Sequence, residues 1–156
     1  MRRWLYNSYF LFLLLWFTLG ALGPLLSFYS LQNAGFSEGR ALLYSVVTFF
    51  LDGLNVLLLS WFIQKFLKKD FNSSLKIAVL VYSSLWLFDI FDVRQELRFL
   101  SNLGLIFSFY VLYKLTEGKA FLKLSAVHIF LYALNGLTAE LIASSPLFSE
   151  VVNSLF

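Results

Sequence analysis

Asp52 is the residue in this chain with the clearest capacity for chemistry. It lies within an oily stretch, 41–67, and no other charge occurs between Arg40 and Lys65. A carboxylate at mid-depth in a bilayer costs ~3 kcal/mol on insertion scales, so it has to face protein or water. Thr48, Asp52 and Asn55 fall at i, i+4 and i+7, which puts them on one face of a helix. Near the other end of the chain, Ser125, His128, Tyr132 and Asn135 fall at i, i+3, i+7 and i+10 and form a second polar stripe. The two stripes lie at overlapping depth, and they are expected to meet, with Asp52 hydrogen-bonded to Asn135, Tyr132 or His128. Two kinds of chemistry would follow. The groups could pin helix register through inter-helix hydrogen bonds worth ~0.6 kcal/mol each. Alternatively, Asp52 or His128 could change charge as part of a proton or ion relay.

Other acidic residues carry weaker signals. Asp89 and Asp92 stand at i, i+3, a spacing also used by acid pairs that hold magnesium for diphosphate chemistry. No second acid motif accompanies them, and Arg94 and Arg98 are close enough to neutralise them, so a salt-bridged helix end is the expectation. Asp52-Gly53 matches the opening of the lipid-alcohol phosphotransferase signature, but Val56-Leu57-Leu58-Leu59 lacks the arginine and spaced acids that should follow. No P-loop, nucleophile elbow or zinc-protease motif occurs. Cysteine is absent and His128 is the sole histidine, which speaks against a thiolate or histidine metal site. No catalytic residue, metal or cofactor is therefore assigned.

The elements that carry these residues are apolar. Hydrophobic residues make up 60% of the 156 and charged residues 13%, too few to cover the surface of a water-soluble domain. The expected fold is all-α: a polytopic membrane helix bundle forming one domain, with five transmembrane helices at about 5–28, 41–67, 72–92, 97–115 and 121–143. Met1-Arg-Arg before the first block reads as the start of a retained signal-anchor helix. Gly20, Gly23 and Pro24 should kink or end that helix, and Ser30 to Gly39 should connect it to the next. The third block is the least secure span, because only its core from Ile77 to Phe88 is free of charge.

Five spans with a cytoplasmic N-terminus place nine of the 12 basic residues inside, leaving Arg40, Arg94 and Arg98 outside with the C-terminus. Trp4, Trp61 and Trp86 fall near predicted interfaces, as anchors do.

Three further stretches extend the reading. They are Phe71 before a helix containing Val81-Tyr82-Ser83-Ser84; the charged turn from Asp92 to Arg98; and Phe107-Ser-Phe-Tyr-Val-Leu-Tyr-Lys-Leu-Thr-Glu-Gly-Lys-Ala120. In these, and in the order of its blocks from Leu42 to Tyr132, the chain resembles the prokaryotic branch of the Yip family of small multi-span membrane proteins. The Asp-Leu-Tyr-Gly-Pro signature of the eukaryotic members does not occur. The resemblance implies a non-enzymatic membrane protein of membrane organisation or trafficking, acting as a helix-mediated scaffold. The alternative is a small transporter or channel for protons, ions or a small solute, using Asp52 and the His128/Asn135 stripe. Expected partners are the lipid bilayer and other membrane proteins or a second copy of the chain, with no role for nucleic acid. The expected location is the cell membrane, as a multi-pass protein.

Overall fold

The computed structural model describes residues 7–33, 35–93 and 98–146, and among them every regular element is helical. Five α-helices follow in order: α1 Ser8–Asn33, α2 Glu38–Leu67, α3 Phe71–Trp86, α4 Arg98–Leu115 and α5 Phe121–Ser144. A 3₁₀ turn, Asp89–Val93, follows α3. α1, α2, α5 and the stretch Phe71–Phe91 are long and apolar enough to cross a membrane, and α4 is the shorter fifth helix of the bundle.

Several boundaries differ from the sequence expectation, each for a local reason. α1 does not end at Gly20 to Pro24 but continues to Asn33, with Pro24 inside it. Pro24 and Gly20 are both buried, Gly20 against Trp86 of α3, and the helix continues through the proline. The first connector is correspondingly short, because α2 already begins at Glu38. The third block breaks at Leu87, where Leu87 N–H and Phe88 N–H turn back onto the carbonyls of Ser83 and Leu85. Its outer end is therefore a 3₁₀ segment rather than more α-helix.

The core is built around α2 and α3. α2 packs on α1, α3 and α5, while α3 packs on α1, α2 and α4; α4 and α5 touch each other only slightly. In the apolar stretch containing α3, 61% of residues are buried, against 22% for α1 and for α5, which makes the shortest of the apolar spans the central one. Its Leu75, Ala78, Val79, Val81 and Tyr82 are closed off from the surface, together with Val56, Leu59 and Ile63 of α2. Asp70 starts α3 as a cap, its carboxylate accepting from the Ser73 N–H at 2.9 Å and the Ser73 hydroxyl at 2.7 Å. Those bonds hold the Asp70 carboxyl below the usual carboxylate range.

Trp16 locks α1 to α2. Its ring stacks on Phe12 and Phe49, and its indole N–H donates to the Phe49 carbonyl at 2.9 Å. The ring lies directly over Gly53, where an added Cβ would stand 2.4 Å from Trp16 Cζ2, so this approach needs a residue without a side chain. Gly104 does the same between α4 and α3, where a Cβ would meet Phe88 Cβ at 2.7 Å.

Candidate functional site: an acidic cavity at one end of the bundle

α2 runs for 30 residues, and Asp52 lies about 21 Å along it at 1.5 Å per residue, close to its middle. The side chain points inward and is only 7% exposed. Across from it, Asn135 of α5 is also buried, and its Nδ2 donates to Asp52 Oδ1 at 2.5 Å. Below this bond, Asn55 Nδ2 donates to the Leu131 carbonyl of α5 at 3.2 Å. Thr48 bonds the Tyr44 carbonyl of its own helix at 2.8 Å. The stripe on α2 thus meets the stripe on α5 through Asp52–Asn135 and through Asn55.

Asp52 and Asn135 line a cavity of about 270 Å³ that is partly open. Its walls come from four elements and their connections: Gly23, Pro24 and Ser27 of α1; Tyr44 and Thr48 of α2; Leu85, Trp86 and Asp89 of α3 and the turn after it; and Tyr132 to Gly136 on α5, without Leu134. All these residues lie in the half of the bundle that holds the end of α1 and the start of α2, and Asp52 is the deepest contribution from α2. The Asp52 carboxylate has no Lys or Arg as an ion-pair partner among the described residues. Asn135 Oδ1 is buried beside it and accepts no hydrogen bond. Trp86 presents its indole to the Asp52 carboxylate, although its Nε1 does not close a bond of ordinary geometry.

Several placements correct the sequence reading. His128 does not reach Asp52. It is fully buried farther down α5, where its Nε2 and the Ser108 hydroxyl of α4 share a hydrogen bond of 2.8 Å. The Tyr82 and Phe109 rings stand nearly perpendicular to the imidazole, at 5.1 and 5.5 Å between centroids, and His128 does not line the Asp52 cavity. Ser125 lies near the inner end of the same helix, its buried Oγ without a partner, outside the cavity. Tyr132 lines the same cavity and is 46% exposed, which places it at the rim.

Trp86 is not an interfacial anchor: at 1% exposure it is one of the most buried side chains of the bundle. Trp61 is half-exposed, with Lys65 Nζ 4.9 Å from its ring centroid, and Trp4 lies outside the described residues.

Asp89 sits in the 3₁₀ turn and joins the cavity wall, a position the helix-end reading did not foresee. The side chains of Asp92 and Arg98, and all of Arg94, lie outside what is described. Gly23 approaches Asp89 so closely that a Cβ would stand 2.6 Å from its Oδ2. Sequence spacing singled out Asp89 only as a helix-end acid and did not connect it, Trp86 or Gly23 with Asp52, because they come from α1, the end of α3 and the turn after it.

Chemically, the arrangement offers a desolvated carboxylate steadied by one neutral amide donor, with tyrosine and tryptophan rings around an opening. Such a group takes up a proton or a cation more readily than an anion. No groups of three or more His, Cys, Asp or Glu able to hold a metal ion occur among the described residues. No family model, curated protein or solved structure matches the chain.

Proposed function

We propose that the chain is a non-enzymatic, multi-pass protein of the cell membrane that binds and moves a proton or small cationic solute through the Asp52 cavity. The observation that carries this reading is the cavity itself, which the buried Asp52 carboxylate and its partner Asn135 both line. A carboxylate kept only to pin helices needs no space beside it, because its hydrogen-bonding capacity is best filled by protein donors. The distribution of lysine and arginine supports a cytoplasmic N-terminus, and with it a cavity facing the outside.

Proteoliposomes loaded with a pH-sensitive dye, or supplied with labelled methylammonium, test the reading. Wild-type protein should accelerate uptake, and Asp52→Asn, which keeps the shape but loses the charge, should reduce it to the rate of empty vesicles. Uptake unchanged by Asp52→Asn, in protein that retains its melting temperature, would discard the reading.

A second reading, the scaffold implied by the Yip resemblance, is favoured by one feature. Between α1 and α2 lies an apolar groove of about 550 Å³ lined by Phe17, Leu25, Phe28, Val46, Phe49 and Phe50 among others, which a partner helix could fill. Stable oligomers in lipid nanodiscs together with absence of flux would select it.

A further inference from the structure

We infer that the ligand of the Asp52 cavity is an amphiphile: a positively charged ammonium head that sits in the cavity and an apolar chain that lies in the groove between α1 and α2. This rests on the reading of Asp52 as a cation-binding carboxylate and adds the substrate class.

The head group follows from the lining. Asp52 supplies negative charge at the floor, and Trp86, Tyr44 and Tyr132 supply aromatic surface around it. Carboxylate and aromatic rings together are the usual surroundings of ammonium and quaternary ammonium groups, because the ring faces carry negative potential and do not need hydrogen-bond donors on the ligand. Asn135 Oδ1, buried and without a donor, adds an acceptor for an N–H on a primary amine. No Lys or Arg is among the described lining residues, so among these a phosphate or carboxylate head finds no counter-charge beside Asp52.

The chain follows from the neighbouring groove. Pro24 lines both spaces, so the cavity and the groove lie on the two sides of one seam between α1 and α2. The cavity alone, at about 270 Å³, is smaller than the ~300–1,000 Å³ of most small-molecule sites; with the groove it falls inside that range. Nearly all the groove's lining is carbon, and its Phe17, Leu25, Val46 and Phe50 are exposed where a hydrocarbon chain would lie.

The seam at this level is made of small or ring-locked residues, Gly23, Pro24 and Ser45, the last tied to the Ala41 carbonyl at 2.9 Å. Pro24 has no N–H for the carbonyl of Gly20, so α1 lacks one helical hydrogen bond beside the seam.

The probe is a twelve-carbon alkyltrimethylammonium brominated at its chain end, added to full-length protein in phosphatidylglycerol nanodiscs, whose head groups contain no amine. A chain in the groove brings bromine beside Trp16, whose ring packs on the groove residues Phe17 and Phe49, so tryptophan fluorescence should be quenched saturably. The half-quenching concentration should be roughly tenfold lower than for the brominated alcohol of equal length. Asp52→Asn should remove that difference. Val46→Phe, a lipid-facing change that fills the groove without touching the cavity, should weaken quenching by the long-chain probe while leaving tetramethylammonium binding alone.

Equal displacement of the probe by tetramethylammonium and by unbrominated dodecyltrimethylammonium would overturn the amphiphile while leaving Asp52 as a cation site. Equal quenching by the brominated alcohol, carboxylate and ammonium would overturn the charge selection. Loss of both saturable quenching and Asp52-dependent flux would take the proposed function down with it. Repeating the titration in phosphatidylcholine discs identifies the source: competition by the lipid assigns the site to choline phospholipid head groups, and no competition assigns it to phosphate-free amphiphiles. In either case the ammonium chemistry stands.

Discussion

The Asp52–Asn135 pair and the Ser108–His128 pair hang from the same stripe of α5, about two helical turns apart, and both bury polar groups in an apolar bundle. Around the first, four helices stand apart and leave a space lined by hydroxyls, an amide and two carboxylates. Around the second, the Tyr82 and Phe109 rings stand nearly perpendicular to the imidazole, which is fully buried. The residue types alone leave Asp52 and His128 both open as the group that changes charge. Packing separates them, because Asp52 lines a cavity and the His128 side chain is fully buried. Enclosure, more than the identity of the polar group, separates a working site from a fastener here.

The contrast can be broken most directly at Gly136. It lines the cavity, and a Cβ built there meets nothing within 4 Å, so a side chain can start there and Gly136→Leu should occupy the space. Uptake should fall by about tenfold or more while the melting temperature holds or rises, since glycine is a poor helix former. A large loss of stability would show that the cavity is tighter than described.

At the sealed pair the expectation is reversed. His128→Phe keeps a ring among Tyr82 and Phe109, gives up the Ser108 bond, and removes an imidazole Nδ1 that is buried without a partner. Net stability should change by less than about 1 kcal/mol, within the span measured for inter-helix hydrogen bonds in membranes. Uptake should stay within about twofold of wild type, as no step passes through this ring; a tenfold loss in the folded variant would make the imidazole part of a relay and end the contrast.

The two regions were unequally visible in the sequence. Asp52 and Asn135 could be matched because each is a rare polar group on a helix whose period fixes its face, and their depths coincide. The partner of His128 could not, since Ser108 is an unremarkable hydroxyl in the apolar run of α4, where nothing in the spacing selects it. Trp86 looked like an interfacial ring because tryptophan usually is one near a helix end. Its burial depends on the break at Leu87, which turns the chain and carries Asp89 back over the bundle. Five helices were evident from composition, but not that the shortest apolar span would occupy the centre.

A carboxylate at the water's edge provides the smallest and cleanest reference. Asp70 is fully exposed, and its hydrogen bonds from Ser73 lower its pKa relative to the unfolded chain. Its contribution to stability is therefore complete above the unfolded carboxyl pKa and is lost as pH falls through the lowered, folded value. Asp70→Ala should lower the melting temperature by about 2–4 °C at neutral pH, and the two proteins should converge on acidification. A gap that persists in acid would assign the effect to something other than the charged cap.

The shortness of α4 also has a consequence for the surrounding lipid. At 1.5 Å per residue α4, Arg98–Leu115, reaches about 27 Å, whereas a bilayer's hydrocarbon is ~30 Å thick and α2 extends about 45 Å. A bilayer around helices of such unequal length would have to thin beside α4 or let α2 tilt, at a cost of fractions of a kcal/mol for each ångström of mismatch. Thin or strongly curved bilayer would lower that cost.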